Sequence, residues 1–363
     1  MTKIKRTIYI CNYAADYGGN FLSSLTKLSE KIRELGGKTV YIFPTNARDK
    51  HWEVSLKECT IFYIDFTFYS MYKFLNKFVK NDDIIHAHFI ENMSLLMAIR
   101  LSTNNSHVII HEHMDLDYVS EQSNLKKKIK NSLFHRFNFV GVSSSVTKRL
   151  RNLYPKSKVY CIENAVSFSR LNQKSTYNPY DNKKKHIAIF GTDFYRKGVD
   201  LAIRALGESK IKDKIELDII THHPEACINE IRSIFNNVPA FIKILKPSKN
   251  VRNFYDNSFL FISPSRHEAF GYAVVEAAYC GIQVIASDVC GQNDLKNIPF
   301  INWITSEDVT ELRMKIEKAF DECDDLTYLN KVKDVNRDYI INNYSLNNWI
   351  LQNLNIYRKV ISE

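Results

Sequence analysis

Residues 263–287 read SPSRHEAFGYAVVEAAYCGIQVIAS, and this stretch decides the fold class. The apolar run FLFI at 259–262 enters it and is stopped by Pro264-Ser265, as expected of a strand buried on both faces. Glu268 follows in a loop. Phe270-Gly271 then opens a helix that carries Glu276 and stops at Gly281, and the next apolar run begins at Val284. Strand, loop, helix and strand in this order form the repeating unit of a parallel α/β sheet.

The same alternation extends over the chain. Strands are expected at 8–11, 39–43, 61–64, 83–88, 107–111, 139–143 and 159–162, with a helix at 21–35 stopped by Gly36-Gly37. Residues 171–185, LNQKSTYNPYDNKKK, are polar and lack apolar periodicity, so they read as a linker. Strands then resume at 186–191, 215–220, 241–245, 259–263, 284–287 and 300–304. The expected organisation is a first Rossmann-like domain at 1–170, the linker 171–185 and a second Rossmann-like domain at 186–344. A terminal helix near 345–363 has apolar residues able to pack on either domain.

In parallel α/β sheets ligands sit beyond the carboxyl ends of the strands, where the Glu268 loop falls. A helix N-terminus there offers N–H groups and a positive dipole end, which suits a diphosphate. Gly271 lets the backbone approach a ligand closely. Glu276, about one turn into the helix, is placed to accept hydrogen bonds from ribose hydroxyls, and Glu268 to face a sugar. A second segment, FGTDFYRKGVDLAIRA at 190–205, repeats the design: a strand ends at Gly191 and Lys197-Gly198 opens a helix. A lysine at such a helix start adds point charge to the pull of the dipole on phosphate.

The 263–287 segment resembles the E-x7-E signature of glycosyltransferase family 4, with Glu268 and Glu276 as the two acids and HEAFG where that family often has E-G-F-G. The 190–205 segment is similar to that family's G-R-x(4)-K-G stretch, in which arginine and lysine bind the donor diphosphate. Lys197 matches; Thr192 stands in the arginine's place, and Arg196 either substitutes for it or points to solvent. Weaker matches lie in the first half. Gly18-Gly19 after the first strand resembles the glycine pair near the donor phosphate, and 83–88, DIIHAH, resembles the family's D-V-V-H-x-H strand. His113, in His111-Glu112-His113, matches the family's histidine segment and is the residue that the resemblance assigns to the transferred sugar; His86 and His88 read as structural. Ser143-Ser144 and Asn164-Ala165-Val166 fit the family's strand-then-serine and N-G-V patterns, with alanine for glycine.

The resemblance implies a GT-B architecture, two Rossmann-like parallel-sheet domains facing a central cleft, with the terminal helix crossing back onto the first. It implies a retaining glycosyltransferase that moves a sugar from a nucleotide-diphosphate sugar, UDP being the commonest base, to a glycan, lipid-linked or protein-linked acceptor. Bacterial surface polysaccharide or glycoconjugate synthesis is the setting it suggests. Lys197, Glu268 and His113 are then the catalytic candidates. Gly18, Gly19, Arg196, Phe270, Gly271 and Glu276 are the candidates for donor binding. The nucleotide-sugar is a substrate, and no cofactor is implied. Asp115-Leu116-Asp117 is a D-x-D, a metal-holding pattern in another glycosyltransferase fold, but Lys197 and helix N-termini can neutralise the phosphates here, so no metal is expected. Two alternatives remain open: a nucleotide-sugar epimerase on the same fold, and a non-catalytic accessory protein.

Bulk properties narrow the setting. Seven scattered cysteines without a CxxC pair fit a reducing, cytoplasmic compartment rather than a disulfide framework. There is no apolar run long enough for a membrane span and no signal-peptide pattern at the start. The formal charge of +10 favours anionic partners. No nucleic-acid-binding motif accompanies it, so nucleic acid is not expected. Two basic aromatic stretches bear on peripheral contact with an anionic membrane. In 66–80, FTFYSMYKFLNKFVK, the aromatics are expected to face the core; in 125–137 the cluster at Lys126–Lys130 is the candidate for lipid contact.

Overall fold

The computed structural model describes residues 4–103, 107–114, 132–172, 184–248 and 250–362. The chain divides into two compact units, Met1–Ala165 with Leu346–Glu363, and Val166–Ser345. The D-x-D at 115–117, the lysine cluster at 126–130 and most of the expected linker lie outside the described residues.

The first unit is built on β1 (Arg6–Cys11), β2 (Lys38–Pro44), β3 (Thr60–Ile64), β4 (Ile84–His88), β5 (His107–Glu112), β6 (Asn138–Gly141) and β7 (Lys158–Cys161). All pair in parallel, in the order β3-β2-β1-β4-β5-β6-β7. Its helices include α1 (Gly19–Glu34), α2 (Phe68–Phe78), α3 (Met93–Ser102) and α4 (Ser144–Leu153). The second unit holds β8 (Lys185–Phe190), β9 (Ile215–Ile220), β10 (Ile242–Leu245), β11 (Leu260–Ser263), β12 (Gln283–Ser287) and β13 (Ile301–Ile304), again all parallel, in the order β10-β9-β8-β11-β12-β13. Its longer helices are α5 (Val199–Gly207), α6 (Pro224–Phe235), α7 (Tyr272–Cys280), α8 (Val309–Glu322) and α9 (Leu326–Asn343). The last helix, α10 (Leu346–Ile361), groups with the first unit.

Both sheets therefore have the doubly wound strand order, and in each the order reverses beside the first strand of the unit: between β1 and β4, and between β8 and β11. The strands expected from the sequence are present with their ends shifted by a residue or two, because fully buried parallel strands read as continuous apolar runs. In the first unit Tyr9, Cys11, Tyr41 and Phe43 are covered by Leu22, Leu25, Leu28 and Ile32 of α1 and by Trp349, Leu354 and Tyr357 of α10. In the second, β8, β9, α5 and α8 share one core, and α7 packs in another with Phe254, Tyr255 and Tyr344.

Contrary to expectation, the aromatics of 66–80 do not all face the core. In α2 only Met71 and Leu75 are buried, and Phe68 and Tyr69 are 40% and 69% exposed. The strand before it, β3, is an edge strand with no fully buried residue, so it offers α2 a narrow apolar surface that Phe74 and Phe78 already fill against Phe62. Among the described residues no helix is long and apolar enough to cross a membrane.

Candidate active site

Among the described residues, five helices are capped by a side chain. Thr67, Asn92, Ser143, Asp308 and Asp325 each accept a hydrogen bond from the first turn of the helix that follows. Three helices begin instead at a glycine without any side-chain cap: α1 at Gly18, α5 at Gly198 and α7 at Gly271. These three follow β1, β8 and β11, strands that flank the two reversals in strand order. Helix N-termini are thus left to take up an anion where this class of sheet binds its ligands.

In the second unit the loops after β8 and β11 are bound to each other. Arg266 N–H donates to the Arg196 carbonyl at 2.8 Å, and the Arg266 guanidinium grips Asp200 through two bonds of 2.8 Å while lying 3.7 Å above the Tyr195 ring. Gly198 makes this approach possible. Its φ is +67°, and a Cβ placed on it would stand 2.0 Å from the Pro264 carbonyl oxygen.

This lacing sets Lys197 against Glu268. The ammonium donates to Glu268 Oε1, which also accepts from Ser265 Oγ at 3.1 Å. Arg196 is held by Asp193 at 2.9 Å and donates to the His267 carbonyl at 3.3 Å, which leaves its guanidinium 3.8 Å from Glu268. Burial pushes the Glu268 carboxyl up, but Lys197, Arg196 and the bond from Ser265 outweigh it, so the net shift is downward and the acid stays ionised. The loop then passes through buried Phe270 to Gly271, whose φ of +98° turns the chain into α7.

Glu276 is held apart from that cluster. Arg170 donates to Oε1 and Tyr255 to Oε2, each at 3.1 Å, and the residue is only 5% exposed. It is not a surface helix acid.

In the first unit Gly18 and Gly19 open α1, Gly19 with φ +57°. The segment before them is pinned by Tyr13 donating to the Tyr17 carbonyl at 2.6 Å and Trp52 to the Ala15 carbonyl at 2.9 Å. His113 stands just past β5, half-buried, with Nε2 2.9 Å from His88 Nδ1. Sequence reasoning missed Ser265, Asp193, the Arg266–Asp200 clamp, and Arg170 and Tyr255 on Glu276. Ser265 was within reach, three residues before Glu268 in the turn; the others meet their partners across loops whose register a sequence does not display.

Residues 173–331 match the family model of the glycosyl transferases group 1. That match lies wholly within the second unit. Among curated proteins, a component of the human phosphatidylinositol N-acetylglucosaminyltransferase is 29% identical over 182 residues, 43% of this chain. The chain spans 37% of the length of that relative. Among solved structures, a glycosyltransferase from Rickettsia africae is similar at a TM-score of 0.81 and 21% identity, over 98% of this chain and 99% of that one. HepE from Anabaena, solved in complex with UDP, is similar at a TM-score of 0.76 and 13% identity, over 98% of this chain and all of that one. At these identities the structural likeness is one of fold: two Rossmann-like units of the GT-B kind.

Proposed function

We propose that the protein is a retaining glycosyltransferase of family 4 that takes its sugar from a nucleoside diphosphate, with UDP-sugars the first donors to test. The observation that carries this reading is the meeting of Lys197, Arg196 and Glu268 at the two uncapped helix starts of the second unit. Two cations and two dipole ends suit a leaving diphosphate, whose negative charge grows as the bond from the sugar C1 to the phosphate oxygen breaks. In this scheme Lys197 turns from Glu268 toward the phosphate when donor binds. Arg196 supplies the second charge that Thr192 cannot. Glu268 holds the sugar and Glu276 the ribose, and His113 keeps the sugar contact that the resemblance implies. The acceptor hydroxyl oxygen bonds to C1 and its proton passes to the departing phosphate oxygen, so the step balances without a protein nucleophile or a metal.

The acceptor in this proposal is a glycan or a lipid-linked hydroxyl, reached at the inner face of a membrane by a peripheral protein. The exposed face of α2, with Phe68, Tyr69, Lys73 and Lys77, supports membrane contact. The test of the donor reading is a thermal-shift titration with UDP, GDP, ADP, CMP and NAD on the wild type and Glu276→Ala. A ligand bound only by the folded form raises stability by RT ln(1 + [L]/Kd), so one nucleoside diphosphate should raise Tm and lose its effect in the variant. No shift with any diphosphate would refute the donor site.

A further inference from the structure

Four imidazoles gather in the first unit: His86 and His88 on β4, His111 on β5 and His113 just beyond it. The parallel register sets His88 beside His111, and side chains two apart share a face, so neighbouring rings stand 4.2–5.2 Å apart between centroids. They form two hydrogen-bonded chains. In one, Tyr357 OH meets His86 Nδ1 at 2.7 Å and His86 Nε2 meets His111 Nδ1 at 3.1 Å. In the other, His88 Nδ1 meets His113 Nε2 at 2.9 Å. Each chain ends on a buried nitrogen, His111 Nε2 or His88 Nε2, that has no hydrogen-bond partner among the described residues.

Those partnerless ends orient the protons. Burial, and then the neighbouring imidazoles in His86, His88 and His113, hold all four rings below the ordinary histidine value, His111 at about 3, so each carries a single N–H. A buried N–H without an acceptor is rarer and costlier than a buried lone pair. The partnerless nitrogens therefore bear the lone pairs. His111 then carries its proton on Nδ1 and donates to His86 Nε2, and His86 donates from Nδ1 to the Tyr357 oxygen. By the same logic His88 donates from Nδ1 to His113 Nε2, which must accept. That leaves the proton of His113 on Nδ1, an atom with no partner among the described residues.

We infer that His88 is a positioning residue that holds His113 in its Nδ1–H tautomer, so that His113 meets its ligand as a hydrogen-bond donor. The ligand atom facing it is then an oxygen acceptor. That this atom is a hydroxyl oxygen of the transferred sugar rests on the proposed function; the tautomer does not.

The test is nitrogen NMR of the full chain labelled with 15N-histidine, with His113 assigned by loss of its signals in His113→Gln. The inference expects His113 to show a protonated Nδ1 and a bare Nε2 in the wild type. His88→Leu removes the donor and should move the proton to Nε2. His88→Asn places a side-chain N–H near the lost Nδ1 and should restore the first pattern. A wild-type signal from Nε2–H overturns the inference without need of any variant. So does stoichiometric zinc in the purified wild type that is lost in His88→Leu, since a metal would give the two partnerless nitrogens a partner. For the sugar contact, His88→Leu should lower kcat for transfer about tenfold, the worth of one hydrogen bond, with the Kd for nucleoside diphosphate unchanged. A switched tautomer with kcat intact would keep the positioning and refute only the sugar contact.

Discussion

Lys197 and Glu268, 71 positions apart in sequence, are joined by a hydrogen bond from ammonium to carboxylate, and they leave strands β8 and β11 on either side of the reversal in strand order. Each is the partner that makes the other tolerable. Glu268 is 9% exposed, and a carboxylate so placed stays ionised only with cations at hand.

Lys197→Ala should therefore act on both chemistry and stability. Loss of one positioned charge on the leaving group lowers transfer by about 10²–10³-fold. The Glu268 carboxyl, now less compensated, rises from its lowered position and the protein loses roughly 1–3 kcal/mol. The sign of the pH effect follows. A lowered carboxyl contributes stability that is present above its unfolded value and lost as the pH falls through the folded one, so the variant should lose its deficit relative to wild type under acid. Initial rates with UDP-sugars and urea unfolding at pH 7.5 and 4 read the two effects. An undiminished rate would remove Lys197 from the phosphate.

Glu276 separates ligand binding from packing through its neighbours. Glu276→Ala removes the carboxylate to which Arg170 and Tyr255 donate, and with it the proposed ribose contact, so the Kd for the recognised nucleotide should rise about tenfold or more. Tyr255→Phe removes one bond to the same carboxylate and none to a ligand. It should cost about 1 kcal/mol of stability and leave the nucleotide Kd within about twofold. Isothermal titration on both variants decides; equal losses of affinity would mean that Glu276 acts only by supporting the fold.

Opposing titrations meet in the first unit. His86, His88, His111 and His113 have folded values below their ordinary 6.5, so the unit is at full strength above that value and weakens as the pH falls below it, by up to about 1.4 kcal/mol per pH unit for each histidine. Glu112, at the end of β5, runs the other way. Burial pushes its carboxyl up to about 7, so it weakens the unit as the pH rises from 4.5 to 7. Glu112→Gln should then stabilise the unit by on the order of 3 kcal/mol at pH 8, with the gain shrinking toward pH 4.5. Trp303→Phe leaves Trp52 and Trp349, both in the first unit, as fluorescence reporters for urea unfolding. A gain equal at pH 5 and pH 8 would contradict the titration.

The parts legible in the sequence are those fixed by local pattern. Apolar runs such as 259–262 and 284–287 read as strands because a parallel sheet buries both faces, and glycine at 198 and 271 marks a helix start without needing a partner to be known. The Lys197–Glu268 bond, the Arg170 contact to Glu276 and the pairing of His88 with His113 were not legible, since each depends on which strands lie side by side and at what register. The aromatics of α2 misled for a related reason. Their number suggests a core helix, yet an edge strand has room for only part of them, and the sequence does not say that β3 lies at the edge.

That exposed remainder bears on the membrane. Phe68 and Tyr69 open α2, Lys73 lies within 5.8 Å of the Tyr69 ring, and Lys77 follows one turn later, while the whole stretch 66–80 contains no acid. Aromatic rings with lysines on one helical face suit the headgroup region of an anionic bilayer, where each lysine contributes about 1 kcal/mol near the surface. Binding to vesicles of phosphatidylglycerol mixed with phosphatidylcholine should fall roughly 10- to 30-fold in Lys73→Glu with Lys77→Glu, and should weaken as salt is raised. Phe68→Ala with Tyr69→Ala should weaken binding at every salt concentration, because burial of the rings is not screened. Sedimentation with vesicles reads both. Wild-type protein that binds neutral phosphatidylcholine vesicles equally well, or charge-reversed protein that binds as the wild type does, would show that α2 is not the surface that meets lipid.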